Sequence, residues 1–258
     1  MSFVETLHSS LITYPHGFST RTGGVSEGIF DSLNLGMNRG DDADRVKENY
    51  RRFLASCGIK ETEFVCGEQV HGNNVMIVGK EQARPAYGYD SLFTADGYVT
   101  KESGVPLVIF IADCIPLLLA DEQAGVVASV HCGWRSTVKN IGKNAVDAMV
   151  SLGAKKENIR ACTGPAICEN CFEVGGEVIE AVEDLLKGAG ASLYRKTSSG
   201  KYLLDLKGVL KQNLMDNGLS EDNIEVLKDC TMCSPDRFWS HRYTKGVRGS
   251  QAAVIMKP

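Results

Sequence analysis

The sequence predicts an α/β (α+β) fold, a single layered domain in which a mixed β-sheet is covered by helices. The middle of the chain is rich in short apolar segments typical of strands, and amphipathic helical patterns stand on both sides of it. In the last third, strands alternate with helices. No internal repeat or long linker divides the 258 residues, so we expect one domain over residues 1–258.

The helices and strands follow from apolar periodicity and from the residues that end each pattern. Residues 42–57 predict a helix with Asp42 or Asp44 as its cap, and residues 137–152 predict another that Gly153 closes. Residues 20–40, rich in Gly, Ser and Asn, predict an ordered loop. Strands are predicted at residues 63–66, 74–78, 95–100, 107–111, 117–119 and 126–131, and the last third adds helices near 176–187 and 204–217 and strands near 223–227 and 252–256.

Composition argues against several classes of protein. A formal net charge of -4 gives no attraction to nucleic acid. The longest apolar stretch, residues 105–120, is broken by Asp113 and Pro116 and predicts no membrane span. The N-terminus lacks the basic and apolar regions of a signal peptide. We therefore expect a soluble cytoplasmic protein whose nine cysteines are reduced thiols.

A predicted β-hairpin carries the first candidate metal ligands. Residues 111–120 and 126–131 are two apolar runs around a turn, and pairing them about Gln123 places Cys114 almost opposite His131. A thiolate beside an imidazole suits zinc or copper. Because Pro116 cannot donate to a ladder, we expect the first strand to be bulged or at an edge there.

The choice of a third ligand stays open at this stage. His71 stands next to a predicted strand, but composition does not favour it over the other histidines. A second cysteine pattern combines Cys168-x-x-Cys171 with Cys230-x-x-Cys233. Its 58 intervening residues far exceed the usual spacing of a zinc ribbon, so we expect these four cysteines to be packed thiols.

Six ordered motifs together resemble one known family. They are Gly24-Val25-Ser26 with Ser32-Leu33-Asn34-Leu35-Gly36, Gln69-Val70-His71-Gly72, Ala95-Asp96-Gly97, Ala112-Asp113-Cys114-Ile115-Pro116, His131-Cys132-Gly133-Trp134-Arg135 and Gly164-Pro165. In this order, the motifs resemble those of the bacterial purine nucleoside phosphorylase family, whose members were long labelled polyphenol oxidase or laccase-domain proteins. The likeness covers the chain from about Pro15 to Ile255.

The resemblance implies a zinc ion, with copper as the alternative, held by His71, Cys114 and His131. It also implies phosphorolysis of adenosine, inosine and methylthioadenosine to free base and ribose 1-phosphate or its methylthio analogue, together with deamination of adenosine. Purine nucleosides and phosphate would then be the binding partners. Cys132 and Ser136 stand where the family usually has Ala and Gly, and Tyr243 follows Arg242 where a second Arg is common.

Catalytic and substrate-binding roles are predicted for residues near these motifs. Three protein ligands leave a fourth zinc position open, as in catalytic sites. Asp113 beside Cys114 is the predicted proton carrier, with a supporting or turn role as the alternative. The predicted substrate-binding residues are Gln69 and the arginines Arg21, Arg135 and Arg242, with backbone donors from the loop 22–26.

Three rival functions remain. Cys114 activated by His131 would make a metal-free Cys/His hydrolase, for which peptidoglycan precursors are the substrates proposed in some family members. A closed site with Cys132 or His241 as fourth ligand would make a metal-carrying module without turnover. A polyphenol oxidase needs several copper ions, for which five histidines are too few.

Overall fold

The computed structural model describes residues 4–87 and 93–258. Within these ranges the helices are α1 (Ala43–Ser56), α2 (Trp134–Val138), α3 (Ile141–Ser151), α4 (Gly176–Leu185), α5 (Leu206–Asp216) and α6 (His241–Thr244). The strands are β1 (Thr6–Leu7), β2 (His16–Ser19), β3 (Glu63–Phe64), β4 (Val75–Ile77), β5 (Arg84–Pro85), β6 (Gly97–Thr100), β7 (Leu107–Ile111), β8 (Ile115–Asp121), β9 (Val126–Cys132), β10 (Arg160–Thr163), β11 (Glu173–Val174), β12 (Tyr194–Lys196), β13 (Tyr202–Leu204), β14 (Ile224–Val226) and β15 (Gln251–Ile255).

Two sheets form the centre of the molecule. The larger has the strand order β14-β10-β8-β9-β6-β4, and the second has the order β1-β2-β15-β7. Strand β14 pairs with β10 in parallel and β4 pairs with β6 in parallel, whereas the other neighbours are antiparallel. This mixed architecture confirms the predicted fold class.

The layers follow from the alternation of side chains along each strand. On β8, Leu117 and Leu119 pack with helices α3 and α5, while Leu118 faces the second sheet. On β7, Leu107 packs between the two sheets and Val108 packs against α1. The order of layers is therefore α1, the four-stranded sheet, the six-stranded sheet, and the group of helices that includes α3 and α5.

The hairpin β8–β9 forms, with a register one residue away from the predicted one. Pro116 pairs with His131 and Ile115 pairs with Cys132. The expected bulge or edge at Pro116 was wrong, because β8 is a central strand with continuous pairing. The His131 N–H donates to the carbonyl of Asp96, the residue before β6, so the Pro116–His131 pair has no hydrogen bond that needs a proline N–H.

The predicted helix over residues 137–152 is two helices. Asn140 adopts a left-handed conformation with φ +67° and separates α2 from α3. The first helix was predicted within one residue at each end, and the Asp42 carboxylate accepts the backbone N–H groups of Asp44 and Arg45. Across residues 4–87 and 93–258, no helix has the length and apolar character needed to cross a bilayer.

Candidate metal centre and cavity

Three side chains from separate parts of the chain meet where the two sheets are joined. Cys114 lies on the three-residue connection between β7 and β8, His131 lies on β9, and His71 lies in the loop between β3 and β4. One ligand atom from each lies within 4.8 Å of the others, and Cys114 Sγ is 3.8 Å from His71 Nε2. We call these three residues the triad.

Asp96 anchors both histidine ligands, through the ring of His131 and the backbone of His71. Its buried carboxylate accepts a 2.8 Å hydrogen bond from His131 Nδ1, which leaves Nε2 as the ring nitrogen free for a metal. The same carboxylate accepts the backbone N–H groups of Val70, His71 and Gly72 at 3.3, 3.0 and 2.7 Å. One side chain therefore holds the β9 ligand and the loop ligand together.

The backbone at the triad is conformationally unusual. His71 and Asp113 are non-glycine residues in the left-handed region, with φ of +59° and +86°. A Cβ on Gly133 would lie 2.8 Å from His71 Cδ2 and 3.2 Å from Cys114 Sγ. Strain of this kind concentrates at functional sites, and only a glycine at 133 lets the three ligands approach one another.

Cys114 and His131 shift each other's pKa in opposite directions. Burial of the thiol opposes its ionisation, but the imidazoles of His131 and His71 outweigh burial and lower the pKa of Cys114 to about 6. Burial likewise opposes charge on His131, yet Cys114 and Asp96 raise its pKa to about 9. Ligands must lose their protons to bind a metal, and a divalent cation would displace the proton of this pair.

The triad fits a single metal ion in both chemistry and spacing. Two imidazoles and one thiolate are the donors that zinc and copper accept in proteins. Zinc bonds of about 2.1 Å to nitrogen and about 2.3 Å to sulfur place tetrahedral neighbours roughly 3.6 Å apart, close to the 3.8 Å from Cys114 Sγ to His71 Nε2. No fourth His, Cys, Asp or Glu from the described residues joins the group.

The alternative fourth ligands lie apart from the triad. Cys132 points into the core between β9 and the helices, where burial raises the pKa of its thiol. His241 lies on the wall of the adjoining cavity, outside the group of converging ligand atoms. Within the described residues, neither Cys132 nor His241 therefore closes the site in the way that the rival metal-carrying module would need.

The triad lies at the edge of a cavity of about 910 Å³. Three arginines line this cavity, namely Arg39, Arg242 and Arg248. Burial lowers the pKa of Arg248 to about 10, and the positive charge of Arg39 contributes to the shift. Two guanidinium groups that repel each other beside an open space favour an anion between them. Phe110 and Phe172 give the wall an apolar part.

Two predicted site residues reach this cavity with their polar groups already bonded. Asp113 accepts the hydroxyl of Thr231 at 2.6 Å on Oδ1 and the backbone N–H of Arg242 at 2.7 Å on Oδ2. Gln69 bonds the backbone of Phe110 with both ends of its amide, at 2.8 and 2.6 Å. Both residues therefore hold the cavity wall in place. The Gln69 amide, which we expected to bind substrate, is already bonded to the backbone of β7.

The structure does not bring Arg21, Arg135 or the loop 22–26 to the cavity. Arg21 donates to the carbonyls of Asp31 and Pro235 and stacks on Trp239. Arg135 is exposed and stacks on Trp134. The backbone donors of the loop bond within the fold, as Gly24 N does to Ser32 Oγ. The structure therefore does not support anion binding by these groups at this cavity, because Arg21 and the loop donate to local acceptors and Arg135 does not line the cavity.

Sequence reasoning missed Asp96, Arg39 and Arg248 as site residues. Asp96 stands directly before the strand β6, and a carboxylate in such a place needs buried partners, which was a usable signal. Arg39 and Arg248 lie in Gly-containing loops that look like ordinary solvated turns. Their convergence depends on the packing of the loops that precede α1 and β15.

The four cysteines of the two Cys-x-x-Cys pairs also converge. Their sulfur atoms lie within 4.8 Å of one another, so the expectation of separately packed thiols was wrong. The 58 intervening residues do not keep the two pairs apart, because β10 and β14 pair in parallel. The segments that follow these two strands, each with one Cys-x-x-Cys pair, therefore lie side by side. No disulfide forms among the nine cysteines, all of which are described.

Comparison with known proteins agrees with the motifs. The sequence model of the family described as multi-copper polyphenol oxidoreductase laccase matches residues 15–258. A protein named purine nucleoside phosphorylase from Deinococcus radiodurans is 38% identical, over 98% of this chain and 92% of that protein. A protein named adenosine deaminase RL5, from an unidentified prokaryote, is 33% identical over 87% of each. The crystal structure of YlmD from Geobacillus stearothermophilus has a TM-score of 0.88 at 33% identity, covering 94% of this chain and 91% of that chain. The chain belongs to the multi-copper polyphenol oxidoreductase laccase family.

Proposed function

We propose that this protein is a zinc-dependent enzyme of purine nucleosides. It cleaves adenosine, inosine and methylthioadenosine with phosphate, so that the bond from the sugar to the base breaks and a bond from the sugar to phosphate forms. It also deaminates adenosine. The observation that carries the proposal is a group of three side chains able to hold a metal, on a cavity lined by three arginines. The printed names of two relatives, purine nucleoside phosphorylase and adenosine deaminase, support the same substrate class.

The residues His71, Cys114 and His131 hold the metal in this proposal. When bound, a zinc ion with three protein ligands supplies Lewis acidity and lowers the pKa of water. Asp96 keeps His131 in the tautomer that leaves its Nε2 available to a metal, and it anchors the loop that carries His71. The cavity volume of about 910 Å³ accommodates a nucleoside and a phosphate.

Phosphate binds between the arginines of the cavity. Arg248 is half-buried and donates to the carbonyl of Gly249 and to Ser250 Oγ through one nitrogen, Nη1. Its Nε is buried without a hydrogen-bond partner. A buried donor that lacks a partner favours a ligand that accepts it. The purine packs on the apolar wall, where the Arg242 guanidinium lies 5.6 Å from the Phe172 ring.

Product identification tests the proposal. Purified protein incubated with adenosine is expected to release adenine and ribose 1-phosphate when phosphate is present. Without phosphate it is expected to release inosine and ammonia. Adenosine left intact in both reactions by protein that carries its zinc would contradict the proposal.

Replacing Arg248 is expected to weaken phosphorolysis selectively. Loss of charge-assisted hydrogen bonds to an anion costs about 1.5–3 kcal/mol, or about 10- to 100-fold. We therefore expect Arg248→Met to raise the KM for phosphate by that factor while the rate of deamination stays within about twofold. Arg51→Met, on the exposed face of α1, is the matched control. An unchanged KM for phosphate in Arg248→Met would refute the assignment.

Asp113 carries protons in this proposal, with Thr231 and α6 holding its carboxylate in place. Removing a general acid or base typically lowers kcat about 10²- to 10⁴-fold. We expect Asp113→Asn to lower kcat for adenosine deamination by at least about 10²-fold with KM little changed. Thr231→Val keeps the carboxylate and should lose less than about tenfold. Equal losses in the two variants would show that Asp113 only positions its neighbours.

A Cys/His hydrolase is the second candidate, and one observation favours it. The pairing of Asp96 with His131, and of His131 with a low-pKa Cys114, is the arrangement that activates a thiolate nucleophile. Alkylation separates the two functions. A metal-bound thiolate reacts with iodoacetamide only after a chelator is added, whereas a free nucleophile reacts at once.

Copper oxidation of phenols has less support from this chain. Two histidines belong to the triad, and His8 and His16 contact each other near the N-terminus. The fifth, His241, is exposed on α6. In the part of the chain that the structure describes, no second group of histidines forms the cluster that several copper ions would need.

A further inference from the structure

Four cysteines from two distant segments form a cluster of their own. Cys168 and Cys171 lie in the connection between β10 and β11, and Cys230 and Cys233 follow β14. One sulfur atom from each lies within 4.8 Å of the others. We propose that this cluster binds a second zinc ion in a closed site of four thiolates, separate from the triad.

The sulfur spacing matches a metal site rather than a disulfide. Cys171 Sγ and Cys168 Sγ lie 3.4 and 3.9 Å from Cys233 Sγ. Zinc bound tetrahedrally by thiolates at about 2.3 Å separates neighbouring sulfurs by roughly 3.8 Å. A disulfide requires about 2.05 Å, and none of these cysteines forms one. Each half of the site is a Cys-x-x-Cys pair, the spacing typical of structural zinc.

Backbone donors are already aimed at the innermost sulfur. The N–H groups of Cys168 and Cys233 donate to Cys230 Sγ at 3.3 and 3.4 Å. Such N–H groups favour a sulfur that carries negative charge and orient it for a metal. Because one donor comes from each segment, Cys230 Sγ joins the two halves of the site without any metal.

A buried lysine lies beneath the cluster. Lys207 on α5 donates to the carbonyls of Leu227 and Asp229, at 2.6 and 3.1 Å, on the segment that leads to Cys230. Its charge also interacts with the thiols of Cys230 and Cys168. Four thiolates around one zinc leave two net negative charges, and a buried ammonium group beside them offsets that charge.

The cluster is connected to the cavity wall on both of its segments. The backbone N–H of Ile167, next to Cys168, donates to the carbonyl of Asp113 at 3.0 Å. The hydroxyl of Thr231, next to Cys230, donates to the carboxylate of Asp113 at 2.6 Å. Zinc in this site would clamp the two segments that hold Asp113 beside the triad. With four protein ligands it leaves no position for a substrate, so its role is structural.

Zinc content of a double variant tests this inference. Cys233 is exposed and Cys171 is half-buried, so the double change Cys171→Ser and Cys233→Ser removes one ligand from each pair and leaves the buried Cys230 in place. We expect elemental analysis to show a loss of about one zinc equivalent per chain relative to the unchanged protein, together with a lower Tm. Cys57→Ala removes a buried thiol outside both clusters and should leave the zinc content unchanged.

The converse variant keeps the test decisive if the double variant fails to fold. Cys114→Ala destroys the triad and should still carry about one zinc equivalent per chain. After exchange with cobalt, this protein should show the intense thiolate-to-metal charge-transfer absorption of a four-sulfur site. Cys114→Ala protein without metal, a double variant with undiminished zinc, iron in place of zinc, or paired thiols in anaerobically purified protein would each overturn the proposal. None of these results depends on turnover of a nucleoside.

Discussion

Cys114→Ala protein is expected to lose the metal of the triad and its turnover of adenosine and inosine, while keeping its fold. Cys114 supplies the only thiolate of the triad, and without it two imidazoles remain to bind the metal. A metal that acts as a Lewis acid contributes several kcal/mol to catalysis, so the rate should fall by at least about 10³-fold. His71→Ala should have the same effect, because His71 is exposed and its side chain contributes little to the core.

Metal analysis, circular dichroism and nucleoside assays on the same preparations check this expectation. His8→Ala is the matched control, because His8 is an exposed imidazole near the N-terminus that bonds the carbonyl of His16. It should retain metal and activity. Full turnover by Cys114→Ala protein that has lost the triad metal would refute the role of the triad.

Asp96→Asn is expected to weaken both the metal site and the fold. The carboxylate accepts four N–H groups, of which three are backbone donors in the loop of His71 and one belongs to His131. An amide cannot accept all of them, since its NH₂ group is a donor. Loss of a partner of this kind typically reduces metal affinity about 10- to 100-fold. Breaking a buried charged network costs about 3 kcal/mol of unfolding free energy.

Asp121→Asn separates the two effects of the Asp96 change. Asp121 is also fully buried. At the turn of the β8–β9 hairpin, its carboxylate accepts three backbone N–H groups, from Gln123, Ala124 and Lys155. It should lower the unfolding free energy to a similar degree without changing metal affinity. Titration with a zinc indicator and urea unfolding give the two quantities. Equal metal affinity in Asp96→Asn and Asp121→Asn would contradict the positioning role of Asp96.

Local patterns predicted the hairpin ligands but not the third one. Cys114 and His131 lie on one hairpin, where apolar alternation and a short turn determine which residues approach each other. His71 reaches them from an exposed loop, where its own backbone is left-handed, and Asp96, just before β6, holds that loop through hydrogen bonds to its backbone. No periodicity encodes such a contact, so His71 came only from the resemblance to a family.

The arginines and the four-cysteine cluster escaped prediction for a related reason. The position of a long guanidinium side chain depends on the loops around it. In the sequence, Arg21 and Arg248 both stand in Gly-containing segments, so nothing local distinguishes them. In the structure, Arg21 is bonded to carbonyls while Arg248 lines the cavity. The cysteine pairs meet because β10 and β14 are parallel neighbours, a pairing between strands far apart in sequence. The extent of a single domain over residues 1–258 stays a prediction.

The central claim is that His71, Cys114 and His131 hold one catalytic zinc ion without a fourth protein ligand. Diffraction data collected on either side of the zinc absorption edge, from crystals grown without added metal, test it most directly. The account predicts an anomalous peak within bonding distance of His71 Nε2, Cys114 Sγ and His131 Nε2, and of no other protein atom. The absence of that peak, or a fourth protein ligand at it, would contradict the account.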